Sequence, residues 1–209
     1  MKMEKEPLNI IICGVGGQGN ILASQIVANA GIKQGLKVSI GETYGASQRG
    51  GSVMSHIRFA RSFHPGPLIP KGEADLIVGF EPLEALRVLV DYGKDETRVI
   101  FNPRPNYPIS VLSGEARYPE LDFIFKELKE LAAEAKVLEA TELARKAGNH
   151  LAQNLVMVGA LAGSGWLDDL PLAAFEQVIG ELFEDQAKRQ LNLRAFNEGV
   201  RGISQARPL

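Results

Sequence analysis

One segment near the start of the chain constrains the fold more than any other. Leu8-Asn9-Ile10-Ile11-Ile12-Cys13 is an almost unbroken apolar run that ends at the turn Gly14-Val15-Gly16-Gly17-Gln18-Gly19. From Asn20 the apolar residues Ile21, Leu22, Ile26, Val27 and Ala30 recur at helical spacing, and Leu36-Lys37-Val38-Ser39-Ile40 follows as a second strand. A strand that is apolar on both faces has to be covered on both, which is the situation of a parallel strand flanked by helices. The first forty residues therefore read strand, glycine turn, helix, strand: a βαβ unit with a right-handed crossover.

The rest of the chain extends this pattern. Gly41 to Gly51 reads as a loop, and Ser52 to Phe59 alternates with period two, as a strand does. Pro65, Pro67 and Pro70 mark a surface connection, and Ala74 to Phe80 is a further apolar strand leading into a helix that opens at Pro82. Thr97 to Phe101 is the next strand, and the prolines between Asn102 and Pro119 forbid a long helix. Beyond them come a helix over Glu120–Ala133, a short strand over Lys136–Ala140, and a helix with Thr141 as its N-cap and Gly148 as its stop. Leu151–Ala162 reads as a buried helix, followed by helices over Pro171–Phe183 and Gln186–Phe196. With no repeat or linker in view, the expectation is one domain over residues 1–209. It is an α/β, three-layer, Rossmann-like domain with a mainly parallel sheet and a helical C-terminal third.

Composition removes several function classes. Lys and Arg number 23 against 25 Asp and Glu, so the chain lacks the basic surplus that grips nucleic acid. It has no apolar run of membrane-spanning length, and a polar N-terminus unlike a signal peptide, so a cytoplasmic protein is expected. Its single cysteine, Cys13, provides for neither a disulfide nor a conventional iron–sulfur cluster. His56, His64 and His150 lack metal-ligand spacing, and no metal site is expected.

Two glycine loops carry the candidate chemistry. Gly14, Gly16 and Gly19 have the G-x-G-x-x-G spacing, which permits a sharp turn, a close backbone approach and an anion at the helix start. Glu42, 23 residues past Gly19, stands about where a dinucleotide fold keeps its ribose-binding acid. An NAD site and glycines serving backbone geometry alone both remain open on this evidence. The second loop, Tyr44-Gly45-Ala46-Ser47-Gln48-Arg49-Gly50-Gly51, sets hydroxyl, amide and guanidinium groups among glycines. Its Arg49 suits a phosphate or carboxylate, or an ion pair within the protein. Glu42 is a candidate orienting acid for a bound group, with a pairing to Arg49 or Arg58 as the favoured alternative. Cys13 reads as a small core residue, Glu81 and Glu84 as helix-start charges, and Trp166 as an anchor between helices or subunits.

The stretches Gly14 to Ala23 and Gly41 to Val53, with Leu68 to Asp75, Gly79 to Arg87, Asn154 to Leu161 and Asn192 to Phe196, resemble the gamma-type subunits of 2-oxoacid:ferredoxin oxidoreductases. Within that group the resemblance is to the beta subunits of the indolepyruvate type. It implies oxidative decarboxylation of a 2-oxoacid, transfer of the acyl group to coenzyme A, and passage of electrons to ferredoxin. It also implies that thiamine diphosphate, magnesium and iron–sulfur clusters sit on a larger partner subunit, with no cofactor tightly bound here and no catalytic residue on this chain alone. The binding residues expected from it are Gly14, Gly16, Gly17, Gln18, Gly19, Ser47, Gln48, Arg49, Gly50 and Gly51, on loops at the carboxyl ends of adjacent parallel strands. Together they would form one lip of a cleft, partly contacting coenzyme A, that the partner completes. The alternatives are a stand-alone NAD(P)-dependent oxidoreductase and a non-catalytic scaffold.

Overall fold

A computed structural model describes residues 6–44, 50–107, 109–206 and 208–209. Its sheet holds β1 (Leu8–Val15), β2 (Lys37–Tyr44), β3 (Ser52–Ala60), β4 (Leu76–Gly79), β5 (Arg98–Phe101) and β6 (Glu134–Val137), in the order β2-β3-β1-β4-β5-β6. The helices are α1 (Asn20–Lys33), α2 (Pro82–Tyr92), α3 (Ile109–Leu112), α4 (Leu121–Leu131), α5 (Ala140–Lys146), α6 (Gln153–Gly163), α7 (Leu172–Leu182) and α8 (Gln186–Gln205), with a 3-10 turn over His150–Ala152. None of these helices is long and apolar enough to cross a membrane.

Three layers follow from alternation along the central strands. Ile10 and Ile12 of β1, Leu76 and Val78 of β4, and Ile100 of β5 point into a core shared with α1, α6, α7 and α8. Ile11 and Cys13, Ile77, and Val99 with Phe101 point the other way, against α2 and α4. All of these side chains are buried, which is why the sequence there is continuous in apolar residues rather than alternating.

β1, β4, β5 and β6 run parallel, whereas β3 is antiparallel to both β1 and β2. This corrects one expectation. β2 points the same way as β1 but is not its neighbour, so the two glycine loops do not follow adjacent parallel strands. The chain between Tyr44 and Ser52 is too short for a parallel crossover, which takes a dozen or more residues, and only an antiparallel partner is within its reach.

Two further details differ from the sequence reading. α5 begins at Ala140 with Glu139 in the cap position, and Thr141 lies inside the helix with its hydroxyl turned to Asn102 and Gln153. α8 runs on past Phe196 to Gln205 because Gly199 fits it closely against α6. A Cβ on Gly159 would stand 2.0 Å from the Phe196 carbonyl oxygen, and one on Gly199 would stand 1.9 Å from that of Val156. Trp166 does anchor two layers: it packs on the α6–α8 core beneath Lys136 and Arg98, 5.1 and 5.7 Å from its ring centroid.

Candidate functional site at the carboxyl edge of the sheet

The turn after β1 is held by its own side chain. Gln18 Oε1 accepts the Val15 N–H at 2.7 Å, and Gln18 Nε2 donates to the Phe80 carbonyl at 3.1 Å, so the amide braces the loop against the end of β4. Gly14 makes room for it, since a Cβ there would meet Gln18 Oε1 at 2.6 Å. Gly17 and Gly19 adopt φ of 105° and 86°, the left-handed region that other residues avoid. Asn154 of α6 closes over Gly19, with its Nδ2 2.5 Å from where a Cβ would be.

The two glycine loops are joined backbone to backbone. Gly16 N–H donates to the Gly51 carbonyl at 2.8 Å, and Gly50 N–H donates to the Gly16 carbonyl at 3.3 Å. The pairing brings Gly14, Gly16, Gly17, Gln18, Gly19, Gly50 and Gly51 to one edge. Ser47, Gln48 and Arg49 lie outside the described residues. Glu42 does not pair with Arg58. Its carboxylate accepts from Ser24 Oγ at 2.9 Å and Ser55 Oγ at 2.5 Å, because Ser55 is its cross-strand partner in the β2–β3 register. Arg58, opposite Asn9, donates to Asn9 Oδ1 and to the carbonyls of Gly66 and Leu68.

Beside the first loop opens a cleft of about 350 Å³. Gly16, Gly17 and Gln18 form one wall, Asn102, Arg104 and Asn106 after β5 form another, and His150 with Gln153 closes it. Open α/β sheets bind ligands in this position, outside the carboxyl ends of the strands. Asn102 is fully buried in the wall: its Nδ2 reaches the Phe80 carbonyl at 3.4 Å and Thr141 Oγ1 at 3.2 Å, while its Oδ1 has no partner among the described residues. Sequence reasoning missed this wall. The signal for it is the position of Asn102, the first residue past the last apolar residue of β5.

Behind the loops lies a pair of buried acids. Glu81 caps α2 by accepting the Glu84 N–H at 2.9 Å, and it also accepts the Tyr118 hydroxyl and the Asn106 N–H. Burial raises its pKa above the ordinary carboxylate value, against the pull of those hydrogen bonds. The same burial, with the Glu81 carboxylate beside it, pushes the Tyr118 phenol up. Glu84 accepts from Ser52 Oγ and from Arg87 Nη1, the latter at 2.6 Å. Cys13 is fully buried, and burial, reinforced by the charges of Glu84 and Glu81, holds its thiol well above the usual range. It is a core residue and not a nucleophile.

Comparison with known proteins decides the family. The family model for pyruvate ferredoxin/flavodoxin oxidoreductase matches residues 9–202. The chain belongs to the pyruvate ferredoxin/flavodoxin oxidoreductase family. Among members of that family named indolepyruvate oxidoreductase subunit IorB, the protein of Archaeoglobus fulgidus is 41% identical over 96% of this chain and 98% of its own length. The protein of Methanothermobacter thermautotrophicus is 40% identical over 91% and 95%. The pyruvate oxidoreductase subunit PORC of Thermotoga maritima shares the fold with a TM-score of 0.69 at 22% identity, covering 98% of this chain and 99% of that one. A 2-oxoglutarate:ferredoxin oxidoreductase from Magnetococcus marinus, solved with 2-oxoglutarate, coenzyme A and succinyl-CoA, aligns with a TM-score of 0.71 at 23% identity. It covers 97% of this chain but 32% of that longer one, so the pyruvate ferredoxin/flavodoxin oxidoreductase fold seen here is one part of a larger polypeptide there.

Proposed function

We propose that this chain is the cluster-free subunit of an indolepyruvate-type 2-oxoacid:ferredoxin oxidoreductase, and that all 209 residues act as one gamma-type domain. The enzyme removes the carboxyl group of an aryl pyruvate as carbon dioxide, passes the acyl group to the sulfur of coenzyme A, and delivers two electrons to ferredoxin. The observation that carries this reading is the Gly16–Gly51 pairing, which ties the second glycine loop to the first, whose Gly16, Gly17 and Gln18 line an open cleft at the carboxyl edge. The names of the relatives at about 40% identity supply the substrate class.

The residues present suit coenzyme A, whose phosphates and amides call for a cation and scattered hydrogen-bonding groups. Arg104 supplies positive charge, and the amide of Gln153 is at the rim. Gly14, Gly16, Gly17, Gln18, Gly19, Gly50 and Gly51 shape the backbone that lets a ligand approach, and the sequence between Tyr44 and Gly50 adds Ser47, Gln48 and Arg49, whose guanidinium suits a phosphate or carboxylate. Glu42 serves the frame by holding Ser24 and Ser55. Coenzyme A brings the thiol that accepts the acyl group; this chain binds, orients and shields it. Thiamine diphosphate, magnesium and iron–sulfur clusters belong to a larger partner subunit, since this chain has one cysteine, buried in β1, and no Gly-Asp-Gly segment. The complex works in the cytoplasm, where ferredoxin takes the electrons.

The test is co-expression with the larger subunit, followed by coenzyme A-dependent dye reduction with indolepyruvate, phenylpyruvate and pyruvate. Turnover is expected from the complex and from neither subunit alone, with the aryl pyruvates preferred. Full activity of the larger subunit by itself, or indifference to coenzyme A, would overturn the reading.

A further inference from the structure

The junction between β4 and α2 touches both glycine loops and the cleft wall that follows β5. The Phe80 carbonyl accepts from Gln18 Nε2 of the first glycine loop at 3.1 Å and from Asn102 Nδ2 of the cleft wall at 3.4 Å. One residue on, Glu81 holds the Asn106 N–H of that same wall and the Tyr118 hydroxyl beyond it. One helical turn further, Glu84 accepts from Ser52 Oγ, immediately after Gly51 of the second loop. The two carboxylates are 0% and 1% exposed, so neither is placed to touch a ligand, yet their partners lie on separate loops.

We propose that Glu81 and Glu84 are positioning residues, which lock Ser52, at the end of the second glycine loop, and the cleft wall to the start of α2 and so fix their spacing across the site. This rests on the reading of the site given above. Two features support positioning over mere structural support. Ser52 is exposed at the mouth of β3, where a strand needs no hydroxyl for its own stability, and it donates to a buried charge. Hydrogen bonds to a charged group are the strong ones, and an acid able to accept several at once is a rigid node between loops. Arg87 answers the Glu84 charge from the solvent side, leaving its other oxygen to Ser52.

The experiment uses the complex with the larger subunit and compares Ser52→Ala, Ser52→Thr and Arg49→Ala. Ser52→Ala is expected to raise the KM for coenzyme A or for the 2-oxoacid about tenfold, the size of losing one charge-assisted hydrogen bond. It should leave kcat within twofold. Ser52→Thr, which keeps the hydroxyl, should restore the KM. A wild-type KM in Ser52→Ala, beside a raised KM in Arg49→Ala, would overturn the positioning role and leave the site standing. Wild-type KM in both would overturn the site itself. A Ser52→Ala defect that Ser52→Thr fails to rescue would also reject the node, because the hydroxyl would not then be the operative group.

Discussion

His56 shows how one side chain can be built for the neutral state. It is 1% exposed on β3, its Nδ1 accepts the Ile69 N–H at 3.3 Å, and its ring meets Tyr92 edge-on at 5.4 Å. With Nδ1 accepting, the ring proton sits on Nε2, which has no partner among the described residues. Burial lowers its pKa below the ordinary value of 6.5, and the Arg58 cation adds to the effect. Below pH 6.5 the unfolded chain therefore binds a proton that the folded chain refuses. Stability should be flat in this term above 6.5 and fall as the pH drops from 6.5 toward the lowered folded value, by at most about 1.4 kcal/mol per pH unit. Urea midpoints of wild type and His56→Gln from pH 5 to 7.5 should diverge in slope below 6.5, the wild type being steeper; parallel curves would mean that His56 takes up its proton equally readily folded and unfolded. The sequence shows the alternation that places His56 on a strand face, but not its burial, because Ile69 and Tyr92 reach it from distant parts of the chain. Glu81 and Glu84 follow the same logic. Their helix-start role is visible locally, whereas Tyr118, Asn106 and Ser52 become their partners only through the fold.

Among the elements, α6 and α8 depend most on small residues. Gly159 and Gly199 let the two backbones meet where any Cβ would overlap a carbonyl oxygen, and a Cβ on Gly163 would stand 3.0 Å from Val200 Cα. Glycine weakens an exposed helix by about 1 kcal/mol, so read locally Gly199 and Gly202 argue for ending the last helix early. Packing reverses that preference, and the helix continues to Gln205. Gly199→Ala, which would improve an isolated helix, should instead destabilise this protein by about 2–3 kcal/mol through overpacking, read as a lowered urea midpoint. Gly180→Ala is the control: it has open space on α7 and should be neutral or slightly stabilising. Equal effects of the two changes would show that the glycines are not a packing requirement. The element types and most positions were legible from periodicity because each central strand and each helix face carries its burial pattern in its own residues. The direction of β3 was legible too, in the shortness of its connection to β2, but only by asking which partner that connection can reach.

At the scale of the whole molecule, strand order decides between two uses of one glycine motif. In a dinucleotide fold the second strand lies next to the first, so an acid at its end stands beside the ribose of a ligand held on the first turn. Here β3 lies between β1 and β2, and with strands about 4.8 Å apart the end of β2 is about 10 Å from β1 rather than about 5 Å. Glu42, moreover, is bonded through both oxygens to Ser24 and Ser55, and the Gly16 N–H that would face a pyrophosphate is bonded to Gly51. The purified chain should accordingly show no saturable binding of NADH. A thermal shift measurement discriminates well: a ligand at 100 times its Kd stabilises by about 2.7 kcal/mol. In a protein of this length that amounts to a rise of about 5–10 °C. An unchanged midpoint with millimolar NADH is the expected result, and a rise of that size would mean that the first turn binds a dinucleotide despite the intervening strand. The inserted strand thus accounts for both facts about the edge: it carries Glu42 away from the first glycine loop, and through Ser52 and Gly51 it brings the second loop to it.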